Sequence, residues 1–308
     1  MRILLTGASG AVGSALAPSL AAAGHEVRAF TRDPARVTAP GVSSIASGDM
    51  LTGAGLDAAL AGIEVAYYLV HSMESSAGES RTLAERERQS ATAFRVASIR
   101  AGVRRVVYLG GIVPAGRPGS EHLDSRLGVE RVLLDAAPEA VALRASIVLS
   151  AASRSFRFLV RLAERVPVLL LPRWRDHVTQ PIDGRDVVAL LHAAGTRSDL
   201  HGRHSLDIAG PEVLSYGALL ERIADAMLIQ RPKVCLPLTL TPVASVIAAA
   251  IAGEDVALIE PLMRGLDGDL LPRDSRAHAL FDVRLHRIDA AIERALRDWE
   301  LIEPLRAR

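Results

Sequence analysis

Residues 6–13 read T-G-A-S-G-A-V-G, and they directly follow a short run of apolar residues at positions 3–5. Gly7 allows the chain to turn sharply out of a β-strand, because glycine adopts backbone conformations that a side chain disfavours. Gly10 leaves room for the backbone to approach a phosphate, and Gly13 lets a following helix pack closely against the strand. The amides at the start of that helix would bind an anion, which the helix dipole also favours. The stretch therefore predicts a strand, a tight turn and a helix that together bind a dinucleotide pyrophosphate.

The size and composition are those of a folded chain with a substantial core. The chain has 308 residues, of which 49% are hydrophobic, and a formal net charge of +1. A nearly neutral chain has no strong field to attract nucleic acid or an anionic membrane. Cys235 is the only cysteine, so no disulfide forms within the chain, which fits a reducing cytoplasm. We therefore expect a cytoplasmic protein that binds no nucleic acid.

The sequence predicts neither a signal peptide nor a membrane span. Arg2 is followed by only three apolar residues before the glycine-rich stretch, which is too few for a signal peptide. The most apolar later stretch is 236–252, where Pro237 and Pro242 interrupt a run that is short for crossing a bilayer. We expect a buried helix there, with a segment at a membrane interface as the alternative.

Strand-like and helix-like runs alternate through the first half of the chain. After the first strand, the pattern predicts strands at 26–30, 43–47, 64–70, 105–109 and within 141–149, and helices at 11–23, 56–61, 82–101 and 125–137. This alternation is typical of a parallel sheet covered by helices on both faces, the Rossmann-type doubly wound α/β fold. Such a sheet binds ligands at the carboxyl ends of its strands.

The pattern changes after about residue 149. Prolines recur, and the strand-like and helical pieces become short and mixed. We predict a dinucleotide-binding domain at 1–150 and a smaller, mixed substrate-binding cap at 151–308 that is interleaved with the sheet.

The end of the second strand predicts which dinucleotide binds. In this fold an acidic residue there binds the adenosine ribose hydroxyls, whereas a nearby arginine accommodates a 2′-phosphate. Thr31 stands at the acidic position, and Arg32 follows it. Asp33 precedes a proline and is expected to begin the next helix; in the alternative, it pairs with Arg32 on the surface. We favour Arg32 facing the 2′-phosphate, with help from Ser9 and Arg36, and hence NADP(H) as the cofactor.

Further motifs extend along most of the first 215 residues. They are V-R-A-F-T-R-D-P at 27–34, S-G-D-M at 47–50, Y-Y-L-V-H-S-M at 67–73, V-V-Y-L-G-G at 106–111, H-L-D-S-R at 122–126, L-R-A-S-I-V at 143–148, P-R-W at 172–174, Q-P-I at 180–182 and D-I-A-G-P at 207–211. With the glycine-rich stretch, they make the sequence resemble the atypical short-chain dehydrogenases/reductases. The resemblance lies in the NAD(P)-binding group near the NmrA-like and extended types, within a bacterial subgroup of oxidoreductases.

The resemblance implies a row of cofactor contacts along one edge of the sheet. It implies that the pyrophosphate is held by Gly7, Ser9, Gly10, Ala11 and Val12, that Asp49 and Met50 flank the adenine, that Leu69, Val70 and His71 border the ribose and pyrophosphate, and that Leu109 and Gly110 approach the nicotinamide. These positions follow four of the predicted strands, so they belong at the carboxyl ends of neighbouring strands.

The family's usual catalytic pair is absent from this sequence. That pair is Tyr-x-x-x-Lys on the helix after strand five, where the tyrosine transfers a proton and the lysine lowers the tyrosine pKa. The only lysine, Lys233, has no tyrosine four residues before it. Aligning the helix places Arg126 at the lysine position and His122 at the tyrosine position. The serine that normally follows strand five is replaced by Gly110 or Gly111.

His122 and Arg126 share one helix face and retain useful chemistry. An imidazole donates a proton near neutral pH, and Arg126 could bind ribose hydroxyls or polarise a substrate oxygen. In the alternative, His122 caps the helix with Glu121, and Arg126 pairs with Glu130. We keep both interpretations and treat His122 and Arg126 as candidate catalytic residues.

Other polar and aromatic residues give weaker signals. His71, at the carboxyl end of strand four, is a further catalytic candidate that could bind phosphate, orient the substrate or act as an acid. Tyr68 and Tyr108 are predicted core residues, and Trp174 either lines a substrate pocket or anchors a loop. Residues 85–88, E-R-E-R, are typical of a solvated helical face. Cysteines and histidines with metal-ligand spacing are absent, so we predict no metal site.

The leading hypothesis is an NADPH-dependent reductase that transfers a hydride to a carbonyl or conjugated double bond of an apolar small molecule. The low charge of residues 237–253 motivates the apolar substrate. One alternative is a non-catalytic NADP(H)-binding redox sensor of the NmrA-like kind, which the missing tyrosine–lysine pair favours. Another is an isomerase or epimerase that retains NADP(H). The expected partners are a small-molecule substrate and a second copy of the chain in a homodimer.

Overall fold

The computed structural model describes residues 1–70, 82–113, 121–166, 168–235, 266 and 268–305, without the side chains of 121–124 and 170. The strands are β1 (Arg2–Thr6), β2 (Glu26–Thr31), β3 (Val42–Ser47), β4 (Val65–Tyr68), β5 (Arg105–Gly111), β6 (Glu139–Ala145), β7 (Val148–Leu149), β8 (Leu169–Leu171), β9 (Val178–Thr179), β10 (Ile182–Asp183), β11 (Arg203–Ile208), β12 (Leu214–Ser215) and β13 (Lys233–Cys235). The helices are α1 (Ala11–Ala22), α2 (Leu56–Leu60), α3 (Leu83–Ala101), α4 (Glu121–Leu134), α5 (Arg154–Arg165), α6 (Gly184–Thr196), α7 (Tyr216–Ala226), α8 (Arg276–Phe281) and α9 (Ile288–Glu300).

The central sheet has seven strands in the order β11-β6-β5-β4-β1-β2-β3, and every neighbouring pair is parallel. The chain first adds β2 and β3 on one side of β1, and it then adds β4, β5, β6 and β11 on the other side. The strand order therefore reverses between β1 and β4, which is where this fold binds ligands. The sheet confirms the predicted Rossmann-type doubly wound α/β fold.

The sheet is covered on both faces, as the apolar strand patterns require. One face packs against α1 and α6, where Leu5 and Tyr67 are fully buried. The other face packs against α2, α3 and α4, where Tyr68 and Phe94 are buried. Helices on both faces leave the ends of the strands as the place where polar ligands can reach the sheet.

The elements after β6 form the smaller mixed part of the structure. Helices α5, α7 and α9 share a separate apolar core, and three two-stranded sheets lie around it. Trp174 is 3% exposed and belongs to this core. Of the two roles considered for Trp174, this packing favours anchoring the chain.

One strand of the main sheet was not predicted from the sequence. Residues 203–208 form β11, which pairs with β6 over six residues. Their sequence, R-H-S-L-D-I, mixes polar and apolar residues and so lacks the apolar run of the other central strands. The reason is local, because Ser205 and Asp207 hydrogen-bond to charged side chains on one face of the sheet.

Helix α4 begins at Glu121, four residues before the predicted start at residue 125. The helix therefore includes His122 in its first turn, although the His122 side chain and all of His71 lie outside the described residues. The apolar stretch 236–252 also lies outside them. Among the helices that are described, none has both the length and the apolar character needed to cross a bilayer.

Candidate functional site

Two glycines of the glycine-rich loop are required by close backbone contacts. Gly7 directly follows β1 and has a φ of +73°, and a Cβ at this position would lie 2.6 Å from the carbonyl oxygen of Leu69. A Cβ on Gly13 would lie 2.2 Å from the carbonyl oxygen of Gly7. Neither neighbour can move freely, because both are backbone atoms of adjacent elements. These contacts fix β1, β4 and α1 against one another at the point where the strand order reverses.

The start of α1 is open to a ligand. Gly10 is the N-cap residue, it provides no side-chain cap, and no acidic residue stands in the first turn. Ser9 and Gly10 are exposed, whereas Ala11 and Val12 are half-buried. The first amides of a helix have no acceptor within the helix, so this end presents donors and a positive dipole end. The arrangement suits an anion such as a pyrophosphate.

Thr6 joins the two strands that flank the reversal point. Its buried hydroxyl donates to the Tyr67 carbonyl at 2.9 Å and accepts from the Leu69 amide at 3.1 Å. This bridge continues the β1–β4 contact beyond the last paired residues. It places Leu69 and Val70, both half-buried, beside the glycine-rich loop, where the sequence predicts cofactor contacts.

Arg32 is exposed directly after β2, and it has no hydrogen bond or ion pair to any residue that the structure describes. The alternative Arg32–Asp33 pair is not formed. The Asp33 carboxylate instead accepts from the Ala35 amide at 3.1 Å and caps a 3₁₀ turn at Pro34–Arg36. The guanidinium of Arg32 is therefore unpaired among the described residues, as the predicted contact with a 2′-phosphate requires.

Asp49 and Met50 follow β3, on the expected side of the site. The Asp49 carboxylate accepts from the Leu51 amide at 2.6 Å and so holds its own loop. Met50 is 8% exposed and packs with Phe30 in the core below. Their contact with an adenine stays a prediction.

Tyr108 leaves little space for a side chain at the end of β5. A Cβ on Gly110 would lie 2.9 Å from the Tyr108 ring, and the Tyr108 hydroxyl donates to the Arg126 carbonyl at 3.4 Å. Tyr108 and Tyr68 are buried and meet edge to face with their ring centroids 6.1 Å apart, which confirms both as core residues. Burial raises the pKa of Tyr108 to about 12 and raises the pKa of Tyr68 further. Both phenols therefore stay neutral and are poor proton donors beside Leu109.

Arg126 presents a cation on α4. It is half-buried, and its Nε is fully buried without a hydrogen-bond partner among the described residues. The alternative pairing with Glu130 is not formed, because Glu130 binds Arg144 at 2.5 Å and 2.7 Å. A buried donor of this kind is costly unless a partner completes it, so Arg126 fits a ligand oxygen.

Residues 85–88 correct one expectation. Glu85 and Arg88 are exposed, as predicted, but Arg86 and Glu87 are only 8% and 5% exposed, so the solvated face excludes these two residues. Glu87 accepts from the Ser125 hydroxyl at 2.5 Å and ties α3 to the start of α4, beside Arg126. The signal was present in the sequence, because Glu87 shares a helical face with Ala91 and Phe94.

A cluster of buried charged side chains was not predicted from the sequence. Arg144 of β6 bonds Glu130 of α4 and, at 3.2 Å, Asp207 of β11. Arg273 donates its amide at 2.8 Å and its guanidinium to the same Asp207 carboxylate. Burial raises the pKa of Asp207 to about 6. The cluster joins α4, the edge of the sheet and the C-terminal segment over separations that sequence spacing does not reveal.

A comparison with protein families bears directly on the glycine-rich loop. Residues 7–149 match a family model described as NAD(P)H-binding. Residues 7–149 form an NAD(P)H-binding domain. The match begins at Gly7, directly after β1, and it includes β2 through β7 and the helices α1 to α4. The matched range therefore includes the glycine-rich loop and the start of α1.

Solved structures with the same fold extend the comparison to nearly the whole chain. The chain is similar to MoeE5 in complex with UDP-glucose and NAD, with a TM-score of 0.73, 18% identity and coverage of 98% of this chain and 99% of that one. It is similar to a UDP-glucuronic acid 4-epimerase from Bacillus cereus in complex with NAD, with a TM-score of 0.74, 16% identity and coverage of 97% and 98%. It is also similar to a short-chain dehydrogenase/reductase superfamily protein from Agrobacterium tumefaciens with bound NAD, with a TM-score of 0.71, 18% identity and coverage of 98% of each chain. The protein thus has the fold of the extended short-chain dehydrogenases/reductases, as the motifs indicated.

One curated relative shares more sequence over a shorter stretch. A 3-beta-hydroxysteroid dehydrogenase from Mycolicibacterium neoaurum is 34% identical over 115 residues, which cover 35% of this chain. The matched stretch spans only 31% of that relative's own length. The similarity therefore leaves the reaction to be argued from the site.

Proposed function

We propose that the protein is a cytoplasmic, NADPH-dependent reductase that adds a hydride to a carbonyl or conjugated double bond of an apolar small molecule. The observation that carries the proposal is the open, uncapped start of α1 behind Gly7 and Gly13, at the reversal point of the sheet. A Cβ at either glycine would fill the backbone contact on which this cradle depends. When bound, the coenzyme supplies the hydride.

The preference for NADPH rests on Arg32. A 2′-phosphate adds negative charge at the adenosine ribose, and an arginine fork matches phosphate geometry. Arg32 is exposed after β2 and unpaired among the described residues, while Asp33 is committed to its own turn. An acidic residue that could bind the ribose hydroxyls of NADH does not occupy the Thr31 position.

Arg126 and His122 are the residues we propose for the reacting end. Arg126 lies on α4 next to the end of β5, and its buried Nε would donate to a ribose hydroxyl or a substrate oxygen. An arginine holds its proton, so it can bind an oxygen but is a poor acid. His122 precedes Arg126 by one helical turn and is our candidate proton donor, with His71 as the second candidate.

The apolar substrate is supported by two independent facts. The stretch 237–253 carries few charges, and the curated relative is named for a hydroxysteroid, an apolar alcohol. The structural neighbours named for UDP-sugars favour a second candidate, an isomerase or epimerase that keeps its coenzyme bound. In that case mass spectrometry of the purified protein would detect retained NADP(H).

Titration calorimetry with NADPH and NADH tests the cofactor assignment. We expect the native protein to prefer NADPH and the Arg32→Asp variant to lose roughly tenfold or more in NADPH affinity, because an aspartate repels the 2′-phosphate and suits a free ribose. Arg131→Asp is the matched control, since Arg131 is also exposed but lies near the far end of α4. No heat with either coenzyme would overturn the proposal.

Coenzyme oxidation on a panel of quinones, enones, aldehydes and a ketosteroid tests the reaction. A reductase oxidises NADPH with at least one member of the panel. Tight binding without any turnover, together with a stable protein partner in a pull-down, would instead favour the redox-sensor alternative.

A further inference from the structure

Two buried hydroxyls are hydrogen-bonded to each other at the boundary between the sheet and the cap. Ser146 is the residue after β6, and its Oγ lies 3.0 Å from the Oγ1 of Thr179 at the end of β9. The two residues are 8% and 0% exposed. None of the roles proposed above uses them, and a side-chain pair this deeply buried needs a physical reason.

The position of Ser146 follows from the register of the sheet. Ala145, the last residue of β6, pairs with Gly111 of β5, and its carbonyl accepts from the Ile112 amide at 3.1 Å. Ser146 is therefore at the same edge as Leu109 and Gly110, where the nicotinamide is expected. The next carbonyl, of Ile147, accepts from Ile182 in the cap at 2.9 Å. Ser146 thus stands at the boundary between the coenzyme domain and the cap.

Thr179 is held firmly from the cap side. It pairs with Leu214 of β12 and forms a bridge with Leu270. The buried hydroxyl of Tyr216 is hydrogen-bonded with Thr179, and burial raises the pKa of Tyr216, so the phenol stays neutral. A threonine fixed in this way orients the Ser146 hydroxyl.

Ser146 keeps hydrogen-bonding capacity after this contact. A serine hydroxyl offers one donor and two acceptor sites, and either hydroxyl of the Ser146–Thr179 pair can be the donor. When Thr179 donates, Ser146 keeps its own proton for a ligand oxygen. Within the described ranges, Ser146 has no other side-chain partner. The remaining capacity lies at the strand edge where a reducible oxygen would arrive.

We propose that Ser146 hydrogen-bonds the reacting oxygen of the substrate, and that Thr179 and Tyr216 are positioning residues that orient it. As the carbonyl carbon accepts a hydride with its electron pair, the C–H bond forms, the π pair of the C=O bond moves to oxygen, and the coenzyme is oxidised. In a conjugated enone, the same charge reaches oxygen through the double bond. A proton from His122 or water then completes the product, so Ser146 stabilises developing charge without losing its own proton. This inference rests on the proposed reductase function.

Turnover of the best panel substrate, measured beside NADPH affinity, tests the proposal. We expect Ser146→Ala to lower kcat by roughly 100-fold, the effect of removing one donor from a developing oxyanion, with the NADPH dissociation constant unchanged. Ser98→Ala is the matched control, because Ser98 is a fully buried serine on α3 whose hydroxyl has no partner among the described residues. It should keep native kcat.

The variants of Thr179 and Tyr216 must distinguish the orientation of Ser146 from a simple loss of packing. Thr179→Val keeps the shape and removes the hydroxyl, so kcat should fall, whereas Thr179→Ser restores the hydroxyl and should recover most of it. Tyr216→Phe should lower kcat less than Ser146→Ala. If Ser146→Ala does not fold, Ser146→Cys keeps the volume, offers only a weak S–H donor and should show the same loss.

The outcomes separate this inference from the proposed function. A native protein that turns over a panel substrate, with unchanged kcat in folded Ser146→Ala, overturns the role of Ser146 and leaves the reductase standing. Equal losses in Thr179→Val and Thr179→Ser overturn the positioning role. A native protein that oxidises NADPH with nothing on the panel overturns the reductase and the role of Ser146 together.

Discussion

The three glycines of the loop serve two different purposes. A Cβ added at Gly7 or Gly13 would lie 2.6 Å or 2.2 Å from a backbone oxygen. Both positions therefore require glycine whether or not a ligand is bound. A Cβ on Gly10 would lie 3.2 Å from its nearest neighbour, and Gly10 has an ordinary φ of −85°. The fold therefore tolerates a side chain at position 10 far better than at 7 or 13, and the approach of a phosphate is the remaining reason for glycine there.

Two alanine variants separate these purposes. Gly10→Ala should melt close to the native temperature but bind NADPH at least about tenfold more weakly, because the methyl group meets the pyrophosphate. Gly13→Ala should lose about 2 kcal/mol of unfolding free energy or more, since it forces apart two backbone segments. Thermal melts and calorimetry measure both. A Gly10→Ala protein with native NADPH affinity would contradict the assignment of the loop.

Residues of the site differ in how far the sequence could predict them. The glycines and Arg32 follow from spacing within one strand–turn–helix unit, so their positions could be predicted. The Ser146–Thr179 contact joins residues 33 apart in the chain, and the Ser125–Glu87 contact joins residues 38 apart. Such pairs depend on how separate elements meet, and no local pattern encodes that.

At the scale of elements, prediction succeeded where one physical pattern governs a whole segment. Strands β1, β4 and β5 each contain a continuous apolar run, and α3 ends at Gly102 in the left-handed conformation with φ 69°. Strand β11 was missed because Asp207 and Ser205 interrupt its apolar pattern to join a charged cluster. Glu87 was misassigned because charge suggested solvent, whereas its helical face is buried.

The end of α6 depends on a buried arginine. The Arg105 side chain is 0% exposed, donates to the carbonyls of Ala194, Gly195 and Arg197, and pairs with Glu139 at 2.8 Å. These bonds satisfy carbonyls that a helix end leaves without partners. One cation thus joins β5 to the last turn of α6.

Replacing this arginine should be costly. Arg105→Met removes the charge and every donor and should lower the unfolding free energy by roughly 3–5 kcal/mol, because it leaves several buried carbonyls at the end of α6 without donors. Arg100→Met is the control, since its pair with Asp57 is exposed and should be worth less than about 1 kcal/mol. Denaturant unfolding measures both. Equal stability of the two variants would refute the role of Arg105.

The contact between α1 and α6 should respond to acid. His192 on α6 hydrogen-bonds Ser19 on α1 at 2.8 Å and lies edge-on to His25. Burial lowers the pKa of both imidazoles from the usual 6.5. Below about pH 6.5 the unfolded chain binds protons that the folded chain resists, so stability is present above that pH and falls as the pH drops.

His192→Asn should remove part of this acid sensitivity. The native melting temperature should fall between about pH 7.5 and pH 5.5, and the variant should show a smaller fall, because an amide does not titrate. His25→Asn should reduce the fall in the same direction. Scanning calorimetry at matched ionic strength measures it, and identical slopes in native and variant proteins would contradict the prediction.

At the scale of the whole molecule, the coenzyme domain extends beyond the part of the chain that carries its motifs. Strand β11 completes the sheet from residues 203–208, and α6 covers the face that holds α1. The Tyr67 hydroxyl of β4 donates to the Leu191 carbonyl of α6 at 3.1 Å, so even the centre of the sheet relies on the later half. The sequence motifs therefore end near residue 150, whereas the sheet they belong to includes later residues. Whether residues 1–150 fold on their own is a separate question.

A chain truncated after residue 150 answers that question. It retains the glycine-rich loop, Arg32 and Arg126, but it loses α6 and the β11 partner of β6, and so exposes apolar side chains such as Leu5 and Leu143 that are 0% exposed in the full chain. We expect no cooperative thermal transition and no NADPH binding, because the cradle exists only when β1, β4 and α1 are held against the sheet. Circular dichroism and calorimetry, run beside the full chain, measure both properties. A truncated chain that melts cooperatively and binds NADPH would show that residues 1–150 fold alone and that the later elements serve the substrate only.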